Sequence, residues 1–158
     1  MAAVPPTLPA ESLRLPRSPL GERLAWGVAA ALCLTLLGVA AGLQPASEGM
    51  GTHTQLGFPD CSWPMVAGIP CPACGMTTSF ALAADASLLE SARTQPFAAI
   101  LAILTATGVW FAGYAAVTGA RIGGYLRELL APRVMYGFVA LLLVAWVYKI
   151  ITFGGTAQ

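Results

Sequence analysis

The chain has one histidine and four cysteines, and the histidine and three of the cysteines fall in one stretch: His53, Cys61, Cys71 and Cys74. The last two sit in Cys71-Pro72-Ala73-Cys74-Gly75, a Cys-x-x-Cys spacing that supports three chemistries. At a helix N-terminus, unpaired backbone N–H groups and the helix dipole stabilise a thiolate and make it a nucleophile for disulfide exchange. The same spacing lets two sulfurs bind one tetrahedral ion, and Cys61 with His53 would complete a Cys3His set for zinc or another transition metal. In an oxidising compartment the pair instead closes into a disulfide that staples its loop. The residues alone leave all three open. An isolated Cys-x-x-Cys is a weaker metal signal than two such pairs. The odd third thiol fits a redox relay as well as a three-sulfur site. His53 taken by itself also reads as an ordinary solvated loop residue. Gly75, where a haem-attachment motif has His, speaks against a c-type haem.

These residues need elements to hold them. Met76 to Ala84 has good helix content, Pro72 suits a first helical turn, and the Cys pair is expected to cap that helix, with Thr77 and Thr78 in capping roles. Asp85 reads as the N-cap of a second short helix through Leu88, Leu89 and Arg93, leading to Gln95-Pro96. Both helices are expected at, or dipping into, a membrane interface.

The membrane follows from composition. Of 158 residues, 57% are hydrophobic and only 9% charged, with a net charge of +1, and the mean hydropathy is +0.73. A soluble domain averages about 25% charged residues. These figures exclude disorder, a coiled coil, a basic nucleic-acid binder and a disulfide-dense mini-protein. Runs of about 20 apolar residues, the length that crosses a roughly 30 Å hydrocarbon core, cover residues 24–43, 97–118 and 134–153. The first is longer than a signal-peptide core, and a retained anchor is the better reading. Cys33 lies inside it and reads as packing. Gly38 and Gly42 have a close-packing spacing that chance also produces often.

Orientation follows from the positive-inside rule. Arg14, Arg17 and Arg23 precede the first span, and Arg121, Arg127 and Arg133 separate the second from the third; these six are expected to be cytoplasmic. The segment 44–95 carries only Arg93 and is expected on the outer face. Lys149, near the outer end of the third span, is expected to snorkel to the interface. Trp26 and Tyr136 near the inner ends, and Phe97, Tyr148 and Phe153 near the outer ends, agree. Ile122, Tyr125, Leu126, Leu129 and Leu130 recur at helical spacing opposite Arg127 and Glu128, as in an interfacial helix or an extension of a neighbouring span. Residues 1–22, rich in proline, are expected to form a disordered cytoplasmic leader before a single membrane domain over 23–158.

The segment Gly68-Ile69-Pro70-Cys71-Pro72-Ala73-Cys74-Gly75-Met76-Thr77-Thr78, with Cys61 ahead of it and Gln95-Pro96 opening the next span, resembles a widespread bacterial membrane-protein family. Its signature is Cys-Pro-x-Cys-Gly-[Met/Leu]-Thr-[Arg/Thr], and it is catalogued as a domain of unknown function. The resemblance covers roughly residues 50–118 and implies a bacterial multi-pass protein without naming an activity. Family members often have Arg where this chain has Thr78, and Asn-Pro where it has Gln95-Pro96, so an anion held by that Arg is not carried over. The Thr-Thr form preceded by Gly51-Thr52-His53 looks like a subgroup in which His53 belongs with the Cys set.

The sequence therefore predicts an all-α integral membrane protein of the bacterial inner membrane. Three transmembrane helices and short interfacial helices surround a Cys-x-x-Cys loop. The first functional reading is a metal-binding or structural site of Cys61, Cys71, Cys74 and His53. The alternatives are a membrane thiol-disulfide oxidoreductase using Cys71, Cys74 and Cys61, and a scaffold or subunit without chemistry. The expected partners are the lipid bilayer and a membrane protein or second copy, with no nucleic acid. No Ser-His-Asp set, paired-carboxylate site or phosphate loop is present.

Overall fold

The computed structural model describes residues 20–120 and 131–154, which are helical with no strand among them. The order is α1 (Leu20–Ala41), a 3-10 helix (Thr52–Leu56), α2 (Trp63–Ala67), α3 (Met76–Ala84), α4 (Leu88–Thr94), α5 (Pro96–Thr118) and α6 (Pro132–Gly154). The expected leader lies outside the described residues except for its last three positions, which are already helical. The expected helix at Ile122 to Leu130 also lies outside them.

Helices α1, α5 and α6 are long and apolar enough to cross a membrane. At 1.5 Å per residue, the 23 residues of α5 rise about 35 Å, more than the roughly 30 Å hydrocarbon core. Leu24, Val28, Leu32, Leu36 and Val39 of α1 and Val139, Leu143, Val144, Val147 and Ile151 of α6 remain exposed. In water such faces would drive aggregation; in a bilayer they are solvated by acyl chains, and the chain is a membrane protein.

Helices α1 and α5 form an antiparallel hairpin set by small residues. A Cβ on Gly27 would stand 4.0 Å from the Ala116 Cβ, and one on Gly108 would stand 3.9 Å from Cys33 Sγ. Cys33 is therefore packing, as its mid-span position implied. Arg23 ties the far end by donating to the Ala116 and Val117 carbonyls at 2.9 and 2.8 Å, satisfying acceptors that the C-terminus of α5 leaves without helical partners. A Cβ on Gly38 would meet nothing within 4 Å, and one on Gly42 only the carbonyls of Val39 and Gly38, so among the described residues the Gly38-x-x-x-Gly42 spacing brings no second helix close. Helix α6 meets α5 through an edge-on Phe97–Phe138 ring pair, centroids 6.4 Å apart.

The segment between α1 and α5 folds over one end of this bundle. Helix α3 is wedged between α1, α4 and α5, with Thr78, Ser79 and Ala81 buried. Ser79 and Ser91 join α3 to α4: their hydroxyl oxygens are 2.8 Å apart, and Ser91 Oγ donates to the Ser79 carbonyl at 2.7 Å. Asp85, expected to start α4, instead caps the end of α3, and Ser87 is the N-cap of α4. The cause is a Schellman turn. Ser87 N–H donates to the Leu82 carbonyl at 2.9 Å and Ala86 N–H to the Ala83 carbonyl at 3.2 Å, which places Ala86 in the left-handed region at φ 60°. Glycine normally fills that position. Ala86→Gly is expected to stabilise the fold by about 0.5–1 kcal/mol, read as a higher midpoint for thermal unfolding in detergent.

Candidate metal centre

Cys61 stands just before α2, and Cys71 and Cys74 flank the turn that leads into α3. That turn is reciprocal: Cys74 N–H donates to the Cys71 carbonyl at 3.0 Å, and Cys71 N–H points at Cys74 Sγ at 3.3 Å. Pro72 occupies the second turn position, where its fixed φ is favourable, rather than the first helical turn expected from sequence. The turn brings Cys71 Sγ and Cys74 Sγ to 2.9 Å. All three sulfurs, Cys61 included, lie within 4.8 Å of one another.

The turn is gripped from two spanning helices. Gln95, fully buried at the start of α5, donates Nε2 to the Pro72 carbonyl at 3.1 Å. Trp146 of α6 donates Nε1 to the Pro70 carbonyl at 2.8 Å, so the carbonyls on either side of Cys71 are both held. Tyr148 donates to the Arg93 carbonyl at 3.1 Å. Lys149, expected to snorkel, is only 7% exposed, because the Thr94 and Gly49 carbonyls, at 3.1 and 3.3 Å, replace water around its ammonium. Gly75 lies against this group: a Cβ there would stand 2.8 Å from the Gly49 carbonyl oxygen and 3.2 Å from Lys149 Nζ.

Thr78 does not cap α3. Its hydroxyl is 2.8 Å from that of Thr52, which also accepts from Ala46 N–H at 3.0 Å. The Gly51-Thr52-His53 segment and the Thr77-Thr78 pair are therefore linked through Thr52, not through His53. His53 directs Nε2 at the Pro59 carbonyl, 3.1 Å away. A carbonyl only accepts, so Nε2–H is the donor in this contact. His53 lies outside the three-sulfur group but lines the same cavity of about 390 Å³, together with Glu48 and Asp60.

The thiols differ in character. The backbone N–H of Trp63 is the main influence holding the Cys61 thiol below the ordinary range, with help from the Cys74 and Cys71 sulfurs against a smaller effect of burial. Burial, reinforced by the Cys71 sulfur, pushes Cys74 up to about 12. Thiolate is the reactive form, so in reduced, metal-free protein at neutral pH Cys61 is expected to be alkylated well before Cys74. Its rate should rise with pH and level off below the ordinary thiol range. Mass-spectrometric mapping after timed iodoacetamide quenches would check the order.

The donor set fits a soft cation. Thiolate–metal bonds of about 2.3 Å in tetrahedral geometry put sulfurs about 3.8 Å apart, so a bound ion would need the Cys71–Cys74 pair to open by about 1 Å. Among the described residues no fourth His, Cys, Asp or Glu atom joins the group. Sequence reasoning found the sulfurs through their spacing and missed Thr52, Trp146 and the carbonyl-bound Lys149. Trp146 and Lys149 belong to a helix separated from the loop by all of α5, and only folding brings them to it.

A family model described as a protein of unknown function (DUF2752) matches residues 61–109, the segment from Cys61 through the first half of α5. No curated protein and no solved structure matches the chain.

Proposed function

We propose that this protein is a metal-binding module of the bacterial inner membrane, in which Cys61, Cys71 and Cys74 hold one soft transition-metal ion such as zinc. The observation that carries this reading is the convergence of three sulfurs, two from the Cys71–Cys74 turn and one from the segment before α2, to within 4.8 Å; a staple needs only two. Three protein ligands leave a fourth position toward the cavity. Sites of that kind exchange ligands, whereas four-ligand structural sites are closed. His53 is the candidate to enter it: Nδ1 is unengaged and Nε2–H rests on a backbone carbonyl, the outer contact typical of a metal-bound imidazole. His53→Ala is therefore expected to weaken binding by about tenfold to 100-fold without abolishing it.

Arginine placement supports a cytoplasmic N-terminus and a cysteine-bearing end on the outer face, with 23–158 acting as one membrane domain behind a leader. Trp63, Met65, Val66, Leu88 and Leu89, exposed on that end, suit a headgroup layer. After removal of the metal by an impermeant chelator, a membrane-impermeant maleimide should label Cys61 in intact cells; labelling only after lysis would reverse the orientation. The metal reading is tested by titrating reduced protein with Co(II). Intense thiolate-to-cobalt absorption saturating at one equivalent is expected, and a spectrum without it would sink the reading.

The 2.9 Å approach of Cys71 and Cys74 favours a second reading, a thiol-disulfide exchange centre with Cys61 as the attacking thiolate. It requires a mixed disulfide trapped by Cys71→Ser or Cys74→Ser in cells and no stoichiometric metal.

A further inference from the structure

Lys149 is the buried charge that the metal site has not yet used. We propose that it is the built-in countercharge of the three-sulfur site and makes that site selective for divalent soft cations over trivalent ones, an inference that rests on the metal-binding reading.

An ammonium at the end of an apolar spanning helix is costly unless it is paired or solvated. Lys149 is 7% exposed. Its partners are two backbone carbonyls, which solvate the charge without neutralising it. No carboxylate pairs with it among the described residues. Its Nζ lies 3.2 Å from the position of a Cβ on Gly75, the residue after Cys74, and is within Coulombic range of Cys74 itself. Glu48 and Asp60, which also line the cavity, are exposed to solvent and screened. The charge that the interior presents to the sulfurs is therefore Lys149.

Charge counting then separates the candidate ions. A divalent ion displaces three thiol protons to give a complex of charge −1, which Lys149 brings to zero; a neutral imidazole from His53 leaves that sum unchanged. Trivalent arsenic, entering as arsenous acid, exchanges three hydroxyls for three thiolates and releases three waters. Its neutral complex leaves Lys149 uncompensated. A monovalent ion on three thiolates carries −2, of which Lys149 offsets one unit and leaves one negative charge uncompensated. At low local dielectric a mismatch of one unit weighs far more than it does in water.

The test compares Cd(II) and arsenite binding to the reduced full-length protein in detergent, for wild type and Lys149→Gln. Glutamine keeps N–H donors for the carbonyls but has no charge. Cd(II) is followed by its thiolate charge-transfer absorption and arsenite by protection of thiols from alkylation. The variant is expected to lose about tenfold or more in Cd(II) affinity while arsenite affinity stays within about threefold, which also shows that the three sulfurs remain assembled. Equal losses for both ions would make Lys149 a structural clamp only, and an unchanged Cd(II) affinity would leave it no part in binding; either result overturns the proposal. Wild-type protein that binds neither ion would instead overturn the metal-binding reading beneath it.

Discussion

Replacing Cys74 with serine is expected to abolish stoichiometric metal binding, with a loss larger than the roughly 100-fold typical of residues that only support a ligand. Cys74 is the buried member of the set, and its sulfur faces both partners, 2.9 Å from Cys71 Sγ and within 4.8 Å of Cys61 Sγ. A hydroxyl has little affinity for soft ions and does not ionise near neutral pH, so two sulfurs would remain where three are needed. Cys61→Ser and Cys71→Ser should give the same result, whereas Cys33→Ser, inside the α1–α5 hairpin, should leave binding intact. Co(II) titration of the four variants checks this. A Cys74→Ser protein that still binds one equivalent with wild-type affinity would show that the three sulfurs do not form the site.

The second large effect is expected from Gly75→Ala. Gly75 has φ 86°, a left-handed conformation that costs a residue with a Cβ about 1–2 kcal/mol. The added methyl would also stand 2.8 Å from the Gly49 carbonyl oxygen, in a position where backbone must shift, for about 1–3 kcal/mol more. The sum, about 2–5 kcal/mol, is a large share of a typical stability, and it falls on the junction of Cys74, Lys149 and α3. Gly68→Ala is the control. It shares the positive φ, at 68°, but meets nothing within 4 Å, so it should cost only the backbone contribution. Thermal unfolding in detergent is expected to rank Gly75→Ala well below Gly68→Ala. Similar midpoints would mean that the close approach at Gly75 is relieved without cost.

The parts of this architecture that could be read directly are those governed by local pattern. Runs of apolar residues long enough for a bilayer specify α1, α5 and α6 whatever they pack against, and Gln95-Pro96 marks the start of α5 because proline suits a first helical turn. The three sulfurs were legible because Cys-x-x-Cys constrains two of them and Cys61 is the remaining loop thiol. Tertiary closure decided the rest. Lys149 looked like a snorkelling residue because its two acceptors, Gly49 and Thr94, come from turns 100 and 55 positions away. Asp85 and Ser87 are about equally good N-caps by type, and the Schellman turn at Ala86 is what sets the helix start at the second of them. Thr78 reads as a cap by type and position, and only the fold sets the Thr52 hydroxyl against it. His53 belongs to the same cavity as the sulfurs, yet its place beside Pro59 follows from the 3-10 helix at Thr52–Leu56, which gave no periodic signal.

The most direct test of a three-sulfur metal centre is elemental analysis of the detergent-purified protein, with thiols counted in the same sample before and after metal removal under non-oxidising conditions. The expected result is close to one divalent transition-metal ion per chain, with Cys61, Cys71 and Cys74 reduced and becoming reactive to alkylation only once the ion is chelated. Protein without metal, in which two thiols appear only after reduction, would contradict it and leave Cys71 and Cys74 as a disulfide.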